Sequence, residues 1–170
     1  GRHSVYTALA AASAGLVLGL SWHEISAGLC DPEPVPRVRV VAARAGATII
    51  DDSYNAAPLS TLAALDLLAE LAGRKLAVLG DMLELGAAEQ AGHYAVGRRV
   101  AQVAETLIAL GPRARWIAEA AREAGMAAEQ VHVADCHEQV IATLHPLLAP
   151  RTYVLVKGSR GMEMERIVAA

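Results

Sequence analysis

Three short stretches are unusually polar for so apolar a chain. The first is Asp51-Asp-Ser-Tyr-Asn-Ala-Ala-Pro58, with two carboxylates, a hydroxyl, a phenol and an amide in five residues. Carboxylates so placed can accept from sugar hydroxyls, while Tyr54 and Asn55 can orient a neighbour; Asn55 or Ser53 can also cap a helix opening at Pro58. The second is Gly80-Asp-Met-Leu-Glu-Leu-Gly86, where Asp81 and Glu84 between glycines suit either an ammonium ligand or a flexible turn. The third, Lys157-Gly-Ser-Arg-Gly161, presents two cations and a hydroxyl in a glycine-flanked turn. If a helix starts there, its free N–H groups together with Lys157 and Arg160 make an anion site; otherwise it is a turn with solvated charges.

The elements that must position these loops follow from periodicity. Helical spacing of Val5, Leu9, Ala12, Leu16 and Val17 predicts a helix over about residues 3–19. Ser21-Trp-His-Glu24 reads as a capping box opening a second helix to about Leu29. Asp31-Pro-Glu-Pro-Val-Pro36 then reads as an extended linker, since proline removes donors and restrains its predecessor. The expected organisation is a helical segment 1–30, a linker 31–36 and a domain 37–170. Within that domain β-branched runs at 38–41 and 48–50, split by Ala45-Gly46, predict a hairpin. Helices are expected at 58–71, 88–104, 114–123, 137–147 and 162–168. They alternate with continuous apolar strands at 75–79, 106–110, 131–133 and 153–156. That alternation predicts an α/β fold of the Rossmann-like, doubly wound type with a mainly parallel sheet. All three polar loops follow strands, so they should gather at one sheet edge.

Composition narrows the function. Of 170 residues, 54% are hydrophobic, enough for a substantial core, although aromatics are 4% and Phe is absent. The net charge of −3 and the interspersed basic residues give no footprint for nucleic acid. Two distant cysteines, Cys30 and Cys136, argue against a disulfide framework or structural zinc site. No basic start with an apolar run resembles a signal peptide, and residues 6–20 are too short for a membrane span, so a cytoplasmic location is expected. The chain starts at Gly1 directly in a helical pattern, as a fragment would. Neither a G-x-x-x-x-G-K-[ST] loop nor a G-x-G-x-x-G fingerprint follows a strand, so a triphosphate cannot be held by this chain alone, and a nicotinamide oxidoreductase is disfavoured.

In their order and spacing, Asp51–Pro58, Val78–Gly86 with His93 beyond it, and Leu155–Met162 resemble the C-terminal signatures of the Mur ligases, most closely the MurF type. Gly1–Ala11 resembles the last long helix of that family's central ATPase domain, so the likeness spans nearly the whole chain. The resemblance implies an ATP- and Mg²⁺-dependent ligase that activates the carboxylate of a UDP-MurNAc-tripeptide as an acyl phosphate and joins it to D-Ala-D-Ala. Most of the Mg²⁺ and ATP grip is expected upstream of this chain, which alone should be inactive. It implies Asp52 at the ATP ribose, Tyr54 and Asn55 near the phosphates, Arg39 as the linker arginine facing the nucleotide, and His3 among the ATP-binding residues, with Ser4 where the family carries an Asn. Lys157, Ser159 and Arg160, with Asp81 and Glu84, are implied at the dipeptide. The first motif has Ala57-Pro58 where the family has Asn-Pro. Small molecules are the expected partners, without nucleic acid or membrane, and a monomer is expected. A relative adding another amino acid, or a non-catalytic ligand-binding module, are the alternatives.

Overall fold

In a computed structural model, residues 2–30 and 38–170 are described, with side chains from Val5 onward. The proline-rich stretch expected as a linker, 31–36, lies outside them. The chain divides into two compact units, Gly1–Pro36 and Arg37–Ala170.

In the first unit α1 (Arg2–Val17) and α2 (Trp22–Cys30) form a helical pair. Gly19, at φ +82°, ends α1, and Leu20 N–H donates back to Gly15 O at 2.9 Å, closing the turn. The capping box forms as read: Ser21 N–H donates to Glu24 Oε2 at 2.8 Å, and Glu24 N–H to Ser21 Oγ at 3.3 Å. Gly15 lets Ile25 approach, since a Cβ there would lie 2.9 Å from Ile25 Cγ1. The unit leaves Tyr6, Leu9, Val17, Leu18 and Trp22 exposed.

The second unit is a six-stranded sheet in the order β1-β2-β6-β3-β4-β5. Its strands are β1 (Arg39–Ala42), β2 (Thr48–Asp52), β3 (Arg74–Gly80), β4 (Thr106–Leu110), β5 (Val131–Ala134) and β6 (Thr152–Lys157). β1 is antiparallel to β2, joined through a tight turn with Ala45 at φ 55° and Gly46 at φ 74°; the other pairings are parallel. The helices are α3 (Pro58–Ala69), α4 (Glu89–Val103), α5 (Ala114–Glu123), α6 (His137–Leu144) and α7 (Glu165–Val168).

Strand pleating sends alternate residues to opposite faces. Ile50, Ala77, Leu79, Leu107, Ala109 and Leu155 pack under α3, α4 and α5. Ile49, Leu76, Val78, Ile108, Val154 and Val156 pack under α6 and α7. The β2→β3→β4→β5 steps cross the sheet one way with helices on the first face. β5→β6 steps back with α6 on the second, which keeps the crossovers right-handed. β6 therefore slots between β2 and β3, and the carboxyl ends of β2, β6 and β3 stand side by side, at the switch point where doubly wound sheets bind ligands.

One expected helix differs. Residues 162–168 are not continuous: a 3₁₀ turn covers Arg160–Met162, Glu163 adopts the left-handed region (φ 47°, ψ 43°), and only Glu165–Val168 is α-helical. The reversal turns Met164 into the core, where it is fully buried against Gly80 and Gly158. The helix over 137–147 likewise ends at Leu144, with His145–Leu147 as a 3₁₀ turn around Pro146.

Candidate functional site

The edge formed by the ends of β2, β6 and β3 brings the three polar loops together. Asp52 and Lys157 end neighbouring strands in register. Lys157 Nζ donates to Asp52 Oδ2 at 2.6 Å and to the carbonyl of Asn55 at 2.8 Å, and both charged residues are buried, at 2% and 9% exposure. The ammonium is thus enclosed by the loop after β2. It does not face outward as one of two cations over an anion, and no α-helix starts at Lys157–Gly161 to supply free N–H groups.

Ser159 ties the loops to one another. Its N–H donates to Asp81 O (2.9 Å), its Oγ accepts from Leu83 N–H (2.8 Å), and the hydroxyl faces Ala56 O at 3.3 Å. It is 4% exposed and works as a bridge between the first and second loops. Arg160 is exposed and pairs with Glu165.

Asp81 is occupied differently from the ammonium-binding expectation. Its Oδ1 accepts from Arg113 N–H (2.9 Å) and Ala114 N–H (2.7 Å), so it satisfies the first turn of α5 across from β3. Gly111, at φ +107°, makes room: a Cβ there would sit 2.6 Å from Asp81 Oδ1. Arg113 in turn pairs with Glu89 at the start of α4. Sequence reasoning missed this fourth post-strand loop, although Gly111-Pro112 directly after β4 was a signal for it. Glu84 lies exposed at φ 63°, at the tip of the second loop.

His93 holds that loop from beneath. It is fully buried on α4, accepts from Met82 N–H through Nε2 (3.0 Å), and donates from Nδ1 to Glu89 O (2.7 Å), which assigns the tautomer. Trp116 stacks edge-on at 5.8 Å.

On the outer side Arg39 of β1 faces Asp51 of β2 in register, and its guanidinium bonds Oδ2 at 2.5 and 3.1 Å. Burial pushes the Asp51 carboxyl up, but hydrogen bonds from Ser53 and the Arg39 guanidinium outweigh it and hold it below its ordinary value. Tyr54 and Asn55 are exposed on the first loop. Neither Ser53 nor Asn55 caps α3: Asn55 Oδ1 accepts from Ala56 N–H, and Ser60 Oγ reaches back to accept from Ala57 N–H. The side chain of His3 lies outside what is described. Among the described residues no three His, Cys, Asp or Glu side chains gather as a metal cage, and no helix is long and apolar enough to cross a membrane.

Residues 36–160 match the family model described as Mur ligase, glutamate ligase domain. The chain is 36% identical, over its whole length, to the UDP-N-acetylmuramoyl-tripeptide--D-alanyl-D-alanine ligase of Escherichia coli, and covers 37% of that protein. A crystal structure of MurF from Acinetobacter baumannii superposes with a TM-score of 0.82 at 31% identity, covering 99% of this chain and 37% of that one. MurF from Thermotoga maritima, solved in complex with ADP, superposes at 0.71 with 27% identity, over 92% and 35% of the two chains.

Proposed function

The chain belongs to the Mur ligase family, and from that premise we propose that it is the C-terminal part of an ATP-dependent ligase joining D-Ala-D-Ala to a UDP-MurNAc-tripeptide. It spans little more than a third of the relatives it matches, so the activity is that of the longer protein. The observation that carries the reading is the convergence of the first and third loops: the Asp52–Lys157 pair and Ser159 lock them into one edge at the switch point.

In this reading 37–170 is the closing domain. The helical pair before it, with its exposed apolar residues, is the surplus of an upstream ATPase domain, and 31–36 is the link between them. The first loop takes the nucleotide. Asp52 meets the ribose hydroxyls, Tyr54 and Asn55 stand exposed toward the phosphates, and Arg39, paired with Asp51, lends its charge to the same side. On the dipeptide side the exposed Arg160 faces the carboxylate and Glu84 the ammonium. Asp81 and Ser159 hold the backbone that carries Glu84.

Catalysis by such a domain is positioning and charge stabilisation. It brings the amine to an acyl phosphate formed upstream and excludes water. The three buried carboxylates of this edge do not fit Mg²⁺: Asp51 is committed to Arg39, Asp52 to Lys157 and Asp81 to α5. In the longer protein the Mg²⁺ ligands belong to the upstream part. The protein works in the cytoplasm on small molecules, as a monomer.

The test is phosphate release by the parent protein with ATP, Mg²⁺ and UDP-MurNAc-tripeptide, comparing D-Ala-D-Ala with single amino acids. Release that depends on D-Ala-D-Ala supports the proposal. Release with another amine reassigns the substrate within the family, and none with any amine removes the enzymatic reading.

A further inference from the structure

We infer that Lys157 is a positioning residue for the nucleotide side of the site, acting through Asp52, and does not touch the dipeptide. The inference rests on the reading above, and on the enclosure of the Lys157 ammonium between Asp52 Oδ2 and the Asn55 carbonyl.

A lysine at a ligand surface keeps its ammonium hydrated and mobile, whereas this one is 2% exposed. Its two contacts, at 2.6 and 2.8 Å, span residues 52 and 55, so the ammonium closes the loop Asp52–Asn55 into a ring. An anionic dipeptide drawing the ammonium away would break a buried ion pair, a costly exchange. The cation is better used where it stands. It fixes which way the Asp52 carboxylate points, and it fixes the backbone that presents Tyr54 and Asn55. Gly158 and Ser159 then carry the chain on to the second loop, so one strand end sets the nucleotide side through position 157 and the second loop through position 159. Arg160 is left as the exposed cation of the motif.

This predicts a separation of kinetic effects. In the parent ligase, Lys157→Met should weaken ADP binding, read by calorimetry, by about tenfold or more, the loss expected for a charged hydrogen bond. The KM for D-Ala-D-Ala should stay within about twofold, a change too small to reflect a lost ionic contact. Because the effect runs chiefly through Asp52, the double variant should bind ADP only slightly more weakly than Asp52→Asn, well short of the sum of the two single losses. The double variant also removes both buried charges, so it serves where Lys157→Met alone does not fold.

A raised KM for D-Ala-D-Ala with unchanged ADP affinity would overturn the inference. So would losses in ADP affinity that add in the double variant, or a parent protein that does not bind ADP. Failure of the substrate reading looks different: ADP binds, but no phosphate release depends on D-Ala-D-Ala, and the comparison of ADP affinities still decides the role of Lys157.

Discussion

Replacing Asp81 separates a structural role from a ligand role at the second loop. Asp81 is 1% exposed, and its Oδ1 takes two N–H groups from the first turn of α5. Asp81→Ala removes the acceptor for both, and Ala114 is fully buried, so water does not replace it there. Loss of a helix cap costs about 0.5–2 kcal/mol, and a buried donor left unmet about 1–3 kcal/mol. These overlap, which puts the expected loss at about 1–3 kcal/mol. Asp81→Asn keeps a carbonyl oxygen in the same place and gives up only the charge facing the helix start, so about 1 kcal/mol is expected. Urea unfolding of the 170-residue chain, followed by circular dichroism, measures both. The order wild type, Asn, Ala with those spacings supports the cap. An alanine variant within about 0.5 kcal/mol of wild type, the range of an ordinary surface change, would refute it.

Four further outcomes follow from the same geometry. Gly97→Ala should destabilise by about 1–3 kcal/mol in the same urea assay, because the new Cβ would sit 2.3 Å from Ile117 O where α4 crosses α5. His93→Ala should cost about 2–4 kcal/mol and increase amide exchange at Met82, whose N–H loses its acceptor. Asp51 titrates below the ordinary carboxylate value when folded and near it when unfolded, so the unfolded state binds more protons between the two. Its stabilisation is complete above the unfolded value and is lost as pH falls through the folded one; Asp51→Asn should flatten the acid limb of stability against pH. The purified chain should hydrolyse no ATP in a phosphate-release assay, and appreciable turnover would contradict the assignment of the triphosphate grip to the upstream domain.

The strands and most helices were legible because their periodicities are clean; strand Thr106–Leu110 and helix Ala114–Glu123 fall where the pattern places them. The convergence of the loops was legible too, since it needs only that they follow parallel strands. The partners within the site were not. Placing Lys157 beside Asp52 requires that β6, from the far end of the chain, insert between β2 and β3, and no local pattern encodes strand order. Read without that order, Lys157 and Arg160 look alike, yet one is enclosed and the other exposed. Asp81 and Ser159 were open to a ligand reading for the same reason: a buried polar side chain that satisfies a neighbour's backbone has the composition of one that meets a substrate. The final helix was overextended because Met164, Ile167 and Val168 fall at helical spacing, while the left-handed Glu163 before them carries no sequence signal.

Mass spectrometry of the product made by the parent protein from UDP-MurNAc-tripeptide, ATP, Mg²⁺ and a mixture of D-Ala-D-Ala with free amino acids decides whether the dipeptide is the amine that is joined. The expected product is a precursor heavier by one D-alanyl-D-alanine unit. A product carrying a single added amino acid instead would contradict it.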